Sequence, residues 1–197
     1  LILASGSRTR REMLTAAGVA FRVMPADVDE EAIRETLLAG GNDVDPLDIA
    51  EVLARAKAEA VSAQHPNAMV IGSDQILALD NRLFAKPADI SEARRNLLDL
   101  RGRTHQLHAV VALAQGGATL WTHGESAHLT MRSFTQAFLD EYIQSAGARI
   151  CESVGAYQLE GLGITLFERI EGDYFTILGM PLLPLLAELR VRGVMKP

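Results

Sequence analysis

The first segment that could do chemistry is Ser5-Gly6-Ser7, which separates a short apolar run from a helix-like pattern with three arginines among residues 8–11. Free amides at a helix start, the positive end of the helix dipole and nearby guanidinium groups all favour an anion such as phosphate. The alternative is that Ser7 only caps the helix and the arginines are solvated. Taken alone, the segment favours this alternative, because the GxxxxGK[ST] pattern of a P-loop is absent.

Two acidic segments could hold a divalent metal or move a proton. Asp74 follows the apolar residues 68–71 and Gly72-Ser73, so we expect its carboxylate to project from a strand end, where catalytic groups often lie in α/β proteins. Asp29 and Glu30 lie in a separate acidic turn, residues 27–31, that is expected to lead into a helix, and a few such carboxylates hold the hard cations that bridge phosphates. Each segment also has an ordinary explanation, since strand-end aspartates cap loops and acidic turns are usually exposed.

Two lysines have distinctive surroundings, and the histidines do not form a metal-binding pattern. Lys57 lies on a largely apolar helix and Lys86 precedes Pro87 in a loop, although most lysines are surface groups. If His105 and His108 lie in one strand, they point to opposite faces, because the side-chain period of a strand is two.

Apolar periodicity predicts the elements that position these residues. Helices are expected from residue 8 to Gly18 and over residues 48–62, 91–100, 135–145 and 182–191. Extended segments are expected over residues 1–4, 21–24, 68–71, 105–114, 118–131, 164–170 and 174–178. Gly116-Gly117 is suited to a hairpin turn that needs positive φ, and Gly40-Gly41-Asn42 reads as a polar loop.

Composition and charge exclude several classes of protein. The 197 residues are 48% hydrophobic and 22% charged, as in an ordinary globular domain, and the formal net charge is −6. This charge opposes non-specific binding to nucleic acid or anionic membrane. The single cysteine, Cys151, excludes an internal disulfide. No segment offers about 18 uninterrupted apolar residues, and no basic leader precedes Leu1, so we expect a cytoplasmic protein that lacks only a few native residues before Leu1.

The order of these segments resembles the Maf family over nearly the whole chain. The opening LILASGSRTRREML is similar to the family's strand, ASxS turn and arginine-bearing helix. The next matching blocks are DVDE at 27–30, LARAKA at 53–58, GSDQ at 72–75 and KP at 86–87. The last are LRGRTHQLHAVVAL at 100–113, GAYQLEGLG at 155–163 and GMPL at 179–182.

The resemblance implies an α/β fold with an elongated, mixed and twisted sheet and flanking helices, similar to the inosine triphosphate pyrophosphatase group. It implies a single domain over residues 1–197, with two lobes around a central cleft. It also implies hydrolysis of a nucleoside triphosphate to the monophosphate and pyrophosphate, with magnesium, manganese or cobalt as cofactor. The oligomeric state is not decided by the sequence, and a homodimer stays open.

Family positions carried over to this sequence imply a set of site residues. Asp74 is the catalytic proton acceptor, and Glu30 and Asp74 could hold the metal. The expected phosphate-binding residues are Ser5, Arg10, Lys57 and Lys86.

Base choice in the family is associated with positions that match Thr9, Gln75 and Glu160. The pair Gln75 and Glu160 is similar to the subfamily that prefers 7-methyl-GTP. That subfamily commonly has proline and an aromatic residue after the ASxS turn, where this chain has Arg8 and Thr9, so aromatic stacking on the base is weaker here or supplied elsewhere. Two alternatives stay open: a pyrophosphatase for dTTP or UTP, and a non-catalytic regulator of septum formation.

Overall fold

Four of the helices begin at a polar capping residue and bury an apolar face. Ser7, Asp45, Asp89 and Thr135 each accept a hydrogen bond from a backbone amide in the first turn of the following helix. In the computed structural model, which describes residues 1–39 and 44–196, the α-helices are α1 (Arg8–Ala16), α2 (Glu30–Ala39), α3 (Pro46–Gln64), α4 (Ile90–Leu100), α5 (Gln136–Ala146), α6 (Tyr174–Ile177) and α7 (Leu182–Val191). Two 3-10 helices span Gly147–Glu152 and Leu162–Leu166. The loop expected at Gly40-Gly41-Asn42 lies outside the described residues.

The strands form one mixed sheet. They are β1 (Ile2–Leu3), β2 (Arg22–Val23), β3 (Val70–Leu79), β4 (Arg82–Phe84), β5 (Thr104–Gln115), β6 (Ala118–Met131) and β7 (Phe167–Glu171). Their order is β2-β1-β3-β5-β6-β7, and β4 pairs with β3. β1 runs parallel to β2 and β3, whereas β4 is antiparallel to β3 and β7 is antiparallel to β6. The predicted α/β class, with a mixed sheet and flanking helices, is confirmed.

The hairpin predicted at Gly116-Gly117 joins β5 to β6. These glycines have φ of 61° and 82°, a conformation that side chains with a Cβ rarely adopt. The helix predicted over residues 182–191 is also confirmed, with the same limits.

Three sequence predictions about extended structure are wrong. β3 does not end at residues 72–75 but continues to Leu79, because its polar side chains find partners on both faces of the strand. Residues 174–177 are helical, since the Asp173 side chain accepts hydrogen bonds from the Phe175 and Thr176 amides and caps the turn. Leu162–Leu166 forms a 3-10 helix, and the strand begins only at Phe167.

The chain divides into two compact units, each built from separate segments. Unit 1 contains Leu1–Gln75, His108–Glu125 and Asp173–Pro197, and unit 2 contains Ile76–Leu107 and Ser126–Gly172. The expectation of a single domain with two lobes around a cleft stays a prediction. None of the helices in the described part of the chain has the length and apolar content needed to span a membrane.

The core of unit 1 covers both faces of the parallel strands. Leu3 and Ile71 face one cluster, which includes Leu14 of α1 and Leu185 of α7. Ile2 and Val70 face a second cluster with Val61 of α3. Because alternate side chains of a strand point to opposite faces, α3 covers one face and α1 with α7 covers the other.

In unit 2, α4, α5 and the 3-10 helix Gly147–Glu152 pack against one another. Leu97, Leu100 and Leu139 are fully buried there. The rings of His105, Tyr157 and Phe167 form a separate cluster, with centroids 4.8 to 6.0 Å apart; His105 and Tyr157 are buried and Phe167 is half-buried.

Candidate active site

The alternation of side chains along β3 decides what residues 72–75 meet. Val70 faces α3, so Gly72 and Asp74 face α3 as well. Ile71 faces the opposite cluster, so Ser73 and Gln75 point towards the segment that contains α6 and the start of α7. One stretch of strand therefore presents a carboxylate to one helix and two polar groups to another part of the backbone.

Gly72 lets α3 lie directly against β3. A Cβ at this position would be 2.1 Å from the carbonyl oxygen of Ala54 and 2.8 Å from the amide nitrogen of Ala58. Only glycine allows this approach of helix and strand. The same close contact brings Lys57, which lies on the buried face of α3, to Asp74.

Lys57 bridges two carboxylates from different elements. Its Nζ is 2.6 Å from Asp74 Oδ1 and 2.9 Å from Glu30 Oε2. Glu30 is the first residue of α2, where the preceding Asp29 side chain accepts a hydrogen bond from the Ala32 amide. The acidic turn at residues 27–31 leads into a helix, as expected, and this brings Glu30, the first residue of that helix, to the cluster.

The Asp74 carboxylate is buried but only half used. Its side chain is 7% exposed. Oδ1 accepts the hydrogen bond from Lys57, whereas Oδ2 is buried without a hydrogen-bonding partner among residues 1–39 and 44–196. Because buried polar atoms are nearly always paired, Oδ2 is suited to a ligand such as water or a cation.

The pair Glu30 and Asp74 fits a hard divalent cation. Both carboxylates approach one point, the Lys57 Nζ, and Asp74 Oδ2 is left over. Magnesium is commonly held by one or two carboxylates together with substrate phosphates, not by a full protein cage. In the described residues, no group of three or more His, Cys, Asp or Glu side chains could hold a metal.

Arg10 is held by hydrogen bonds to oxygen atoms far apart in the sequence. Its Nη1 donates to Ser5 Oγ at 3.2 Å and to the Ser73 carbonyl at 2.8 Å, and its Nε donates to the Gly179 carbonyl at 2.9 Å. Ser7 does cap α1, as the simpler interpretation held, with Oγ 3.4 Å from the Arg10 amide. That interpretation is wrong for Arg10, however, because its guanidinium group is bonded to protein and is not simply solvated.

The charge of Arg10 belongs to the same cluster as the two carboxylates. Burial lowers the pKa of the Arg10 guanidinium, while the negative charges of Asp74 and Glu30 oppose that shift and raise it. An arginine remains protonated throughout the physiological range. Unit 1 thus places two fixed cations, Arg10 and Lys57, beside two carboxylates.

Gln75 bonds the backbone of α6. Its Nε2 is 3.0 Å from both the Thr176 and the Ile177 carbonyl oxygens, so both amide protons are donated to this helix. Thr9, the other predicted specificity residue of unit 1, is half-buried in the first turn of α1. The role of both residues in base choice stays a prediction.

The two remaining predicted residues belong to unit 2. Lys86 is exposed in the connection between β4 and α4. Glu160 is exposed and lines an open pocket of about 310 Å³, whose walls also include Tyr142, Arg149, Gln158 and Gly163. The pocket is lined by one positively charged residue, Arg149, and one negatively charged residue, Glu160.

Several residues that organise the site were not found by sequence reasoning. Ser73 Oγ donates to the Gly179 carbonyl at 3.0 Å, and this carbonyl therefore serves both Ser73 and Arg10. Gly179 has a φ of 105°, which residues with a Cβ rarely adopt. Both glycines of the cluster, Gly72 and Gly179, lie in blocks that matched the family, which is the available signal.

Comparison with known proteins agrees with the resemblance. A family profile described as Maf-like protein matches residues 1–192. A protein of Mesorhizobium japonicum named 7-methyl-GTP pyrophosphatase is 53% identical, with 98% of this chain and 96% of that protein covered. A nucleoside triphosphate pyrophosphatase of Paramagnetospirillum magneticum is 52% identical over the full length of both chains.

Among solved structures, a dITP/XTP pyrophosphatase of Mycobacterium abscessus covers 98% of this chain and 94% of its own. It is 14% identical with a TM-score of 0.43, a likeness too distant to carry an argument. The family profile and the two relatives, which extend over almost the whole chain, are sufficient: this chain belongs to the Maf family.

Proposed function

We propose that this chain hydrolyses a nucleoside triphosphate to a nucleoside monophosphate and pyrophosphate, with 7-methyl-GTP as the preferred substrate. The observation that carries the proposal is the state of Asp74: one carboxylate oxygen is held by Lys57 and the other is buried without a partner in the described chain. Relatives at 53% and 52% identity, named as pyrophosphatases, support the reaction class.

Asp74 is assigned the role of general base. Its Oδ2 accepts a proton from water, and the water oxygen forms a bond to the α-phosphorus. The bond between the α-phosphorus and the oxygen that bridges to the β-phosphate breaks, and pyrophosphate leaves with that oxygen. Lys57 fixes the carboxylate through Oδ1 at 2.6 Å, so Oδ2 stays oriented while it acts.

Charge neutralisation is the second requirement of the reaction. A triphosphate carries about four negative charges near neutral pH, which repel a nucleophile until cations offset them. Glu30 and Asp74 would hold a magnesium, manganese or cobalt ion, which supplies this neutralisation when bound. Arg10 supplies a fixed positive charge, since Nε and Nη1 are bonded to protein and Nη2 has no hydrogen bond within residues 1–39 and 44–196.

In addition to Arg10, the proposed phosphate-binding residues are Ser5, Lys57 and Lys86. Ser5 is buried, and its Oγ lies 3.2 Å from Arg10 Nη1. Lys57 is 10% exposed and already forms ion pairs with both carboxylates. Its positive charge would therefore be shared between these groups and the substrate.

Preference for a methylated purine is the finer part of the proposal. N7-methylation places positive charge on guanine and leaves donors on its pairing edge. A carboxylate such as Glu160 is a suitable acceptor for such donors, and a charge-assisted hydrogen bond is about twice as strong as a neutral one. Because both Gln75 amide protons are donated to α6, the atom of Gln75 that we propose for direct contact with a base is Oε1.

The proposed setting is the cytoplasm. Nucleoside triphosphates are abundant there, and Cys151 is a free thiol, as is usual in a reducing compartment.

Product analysis on a nucleotide panel tests both parts of the proposal. With 7-methyl-GTP, GTP, dTTP, UTP and CTP, we expect monophosphate and pyrophosphate, with the highest kcat/KM for 7-methyl-GTP. Activity should disappear with excess EDTA and return with magnesium or manganese. Orthophosphate and a diphosphate as main products would refute the assigned bond. A higher kcat/KM for dTTP or UTP would refute the base preference alone.

A further inference from the structure

His105 is a buried histidine for which the proposed mechanism has no use. It lies in β5, is 0% exposed, and its Nε2 is 2.7 Å from the hydroxyl oxygen of Tyr157. Burial lowers the pKa of His105 to about 4. The imidazole is therefore neutral near pH 7, and it forms one hydrogen bond, as donor or acceptor, with Tyr157.

Tyr157 is the fixed point of the tightly built loop 153–163. The Tyr157 amide donates to Ser153 Oγ at 3.1 Å, and that hydroxyl donates to the Tyr157 carbonyl at 2.6 Å. A Cβ on Gly155 would lie 2.1 Å from the Tyr157 ring. Ala156 has a φ of 57°, a conformation that a non-glycine residue adopts only when its surroundings require it. The position of the ring and the path of the backbone are thus coupled.

The same loop forms a wall of the unit 2 pocket. Directly after Tyr157, the Gly161 amide donates to the Gln158 carbonyl at 3.1 Å, which closes a turn that includes Glu160. A Cβ on Gly163 would be 2.5 Å from the Gln158 carbonyl oxygen, so the next segment packs on this turn. Gln158, Glu160 and Gly163 all line the pocket. A shift of Tyr157 would therefore be passed on to the residues of this wall.

We propose that His105 is a positioning residue for nucleobase selection: through its hydrogen bond to Tyr157 it fixes the loop 153–163 and thereby the placement of Glu160. This inference rests on the base preference proposed above, and it explains that preference by the position in which the loop holds Glu160. His105 acts through Tyr157 and is not a catalytic residue.

A role in packing alone does not account for the geometry. His105 Nδ1 is buried and has no hydrogen-bonding partner in the described part of the chain, which costs free energy in a protein interior. An apolar side chain of similar size would fill the space without this cost. What only a polar ring supplies at this position is a directional bond to the Tyr157 hydroxyl, since Phe167 already provides the aromatic contact at 4.8 Å.

The test compares Tyr157→Phe with the double variant Tyr157→Phe/His105→Leu. In both, we expect the ratio of kcat/KM for 7-methyl-GTP to kcat/KM for UTP to fall about 2- to 10-fold, the range for one lost neutral hydrogen bond. Amide hydrogen exchange over residues 153–163 should become faster in both. The double variant should be the more stable of the two, because no unpaired polar partner stays buried.

Phe134→Leu is the matched control. Phe134 is a buried aromatic residue of unit 2 that packs against Phe138, so this variant loses stability and should keep the wild-type substrate ratio. A substrate ratio that recovers together with stability in the double variant would overturn the positioning role. So would a high wild-type ratio that Tyr157→Phe retains. A wild-type ratio near one would instead refute the proposed base preference, and this inference with it.

Discussion

At the residue scale, the two oxygen atoms of the Asp74 carboxylate have different roles. Oδ1 is fixed by Lys57 and Oδ2 is available for chemistry. In Asp74→Asn, the side-chain carbonyl can still accept the Lys57 hydrogen bond, but the amide nitrogen cannot accept a proton. We expect kcat to fall about 100- to 10,000-fold, the usual contribution of a general base. The free energy of unfolding should fall by only about 2 kcal/mol, because the hydrogen bond from Lys57 remains and only the negative charge of its acceptor is lost.

Asp99→Asn is the control for Asp74→Asn. Asp99 also pairs with an arginine, Arg82, but the two side chains are 44% and 58% exposed. An exposed ion pair contributes at most about 1 kcal/mol, so kcat and stability should stay near wild type. Steady-state kinetics and denaturant unfolding measure both variants. Turnover by Asp74→Asn at the rate of Asp99→Asn would remove Asp74 from the mechanism.

At the residue scale, the sequence pointed to the charged groups but not to the atoms that hold them. The family pattern singled out Glu30, Lys57 and Asp74, and these three are in contact. It did not reveal that Gly179 accepts hydrogen bonds from Arg10 and Ser73. Such bonds to backbone carbonyls could not be predicted, because any residue has a carbonyl and only the fold decides which one is near.

At the element scale, the site depends on the close contact between helix α3 and strand β3. In Gly72→Ala, the new Cβ meets backbone atoms, the Ala54 oxygen at 2.1 Å and the Ala58 nitrogen at 2.8 Å, which cannot rotate away. The helix must move from the strand, and Lys57 with it. We expect a loss of about 3 kcal/mol or more of unfolding free energy, at the upper end of overpacking costs. Activity should be lost together with the contact between Lys57 and Asp74.

Gly6→Ala provides the stability control for Gly72→Ala. Its Cβ would have a single near neighbour, the Pro25 side chain at 3.9 Å, and its φ is not in the left-handed region. Its unfolding free energy should stay within about 0.5 kcal/mol of wild type, as for most surface substitutions. Chemical denaturation of the two variants measures the difference. Equal stabilities would mean that β3 and α3 are not in close contact.

At the element scale, periodicity located the long helices, while polar residues misled the assignment of strands. Residues 72–75 have the composition of a strand end, yet they continue β3. Ser73, Asp74 and Gln75 each have a partner, on Gly179, Lys57 and α6 respectively. Residues 174–177 have strand-like composition, but the cap from Asp173 makes them helical. Both errors have one cause: a tertiary or capping hydrogen bond outweighs local propensity.

At the scale of the whole molecule, the boundary between the two units falls within three continuous strands. β3, β5 and β6 each contribute residues to both units. Continuous strands carry no change of composition at the point of division, and no linker marks it. The sequence therefore favoured one folding unit, and the limits of the two units could not be predicted from the sequence. The cleft between two lobes that the resemblance implies stays a prediction.

The stability of the whole chain should depend on pH through His105. Burial lowers its pKa from the ordinary 6.5 to about 4, so between these values the unfolded chain binds a proton that the folded chain does not. The free energy of unfolding should therefore fall as pH drops from about 6.5 to about 4, and this group should contribute no further change below or above that window. The shift corresponds to about 3 kcal/mol.

The variant Tyr157→Phe/His105→Leu isolates this contribution. It lacks the imidazole but keeps every carboxylate, so the acid destabilisation caused by the carboxylates is common to both proteins. Denaturant unfolding at half-unit steps from pH 4 to pH 8 should show a steeper loss in the wild type, confined to the window below about 6.5. Parallel curves would mean that His105 takes up a proton in the folded chain as readily as in the unfolded one. That result contradicts a neutral histidine buried against Tyr157, since a charged imidazole in that position would have to reach water or an acidic partner.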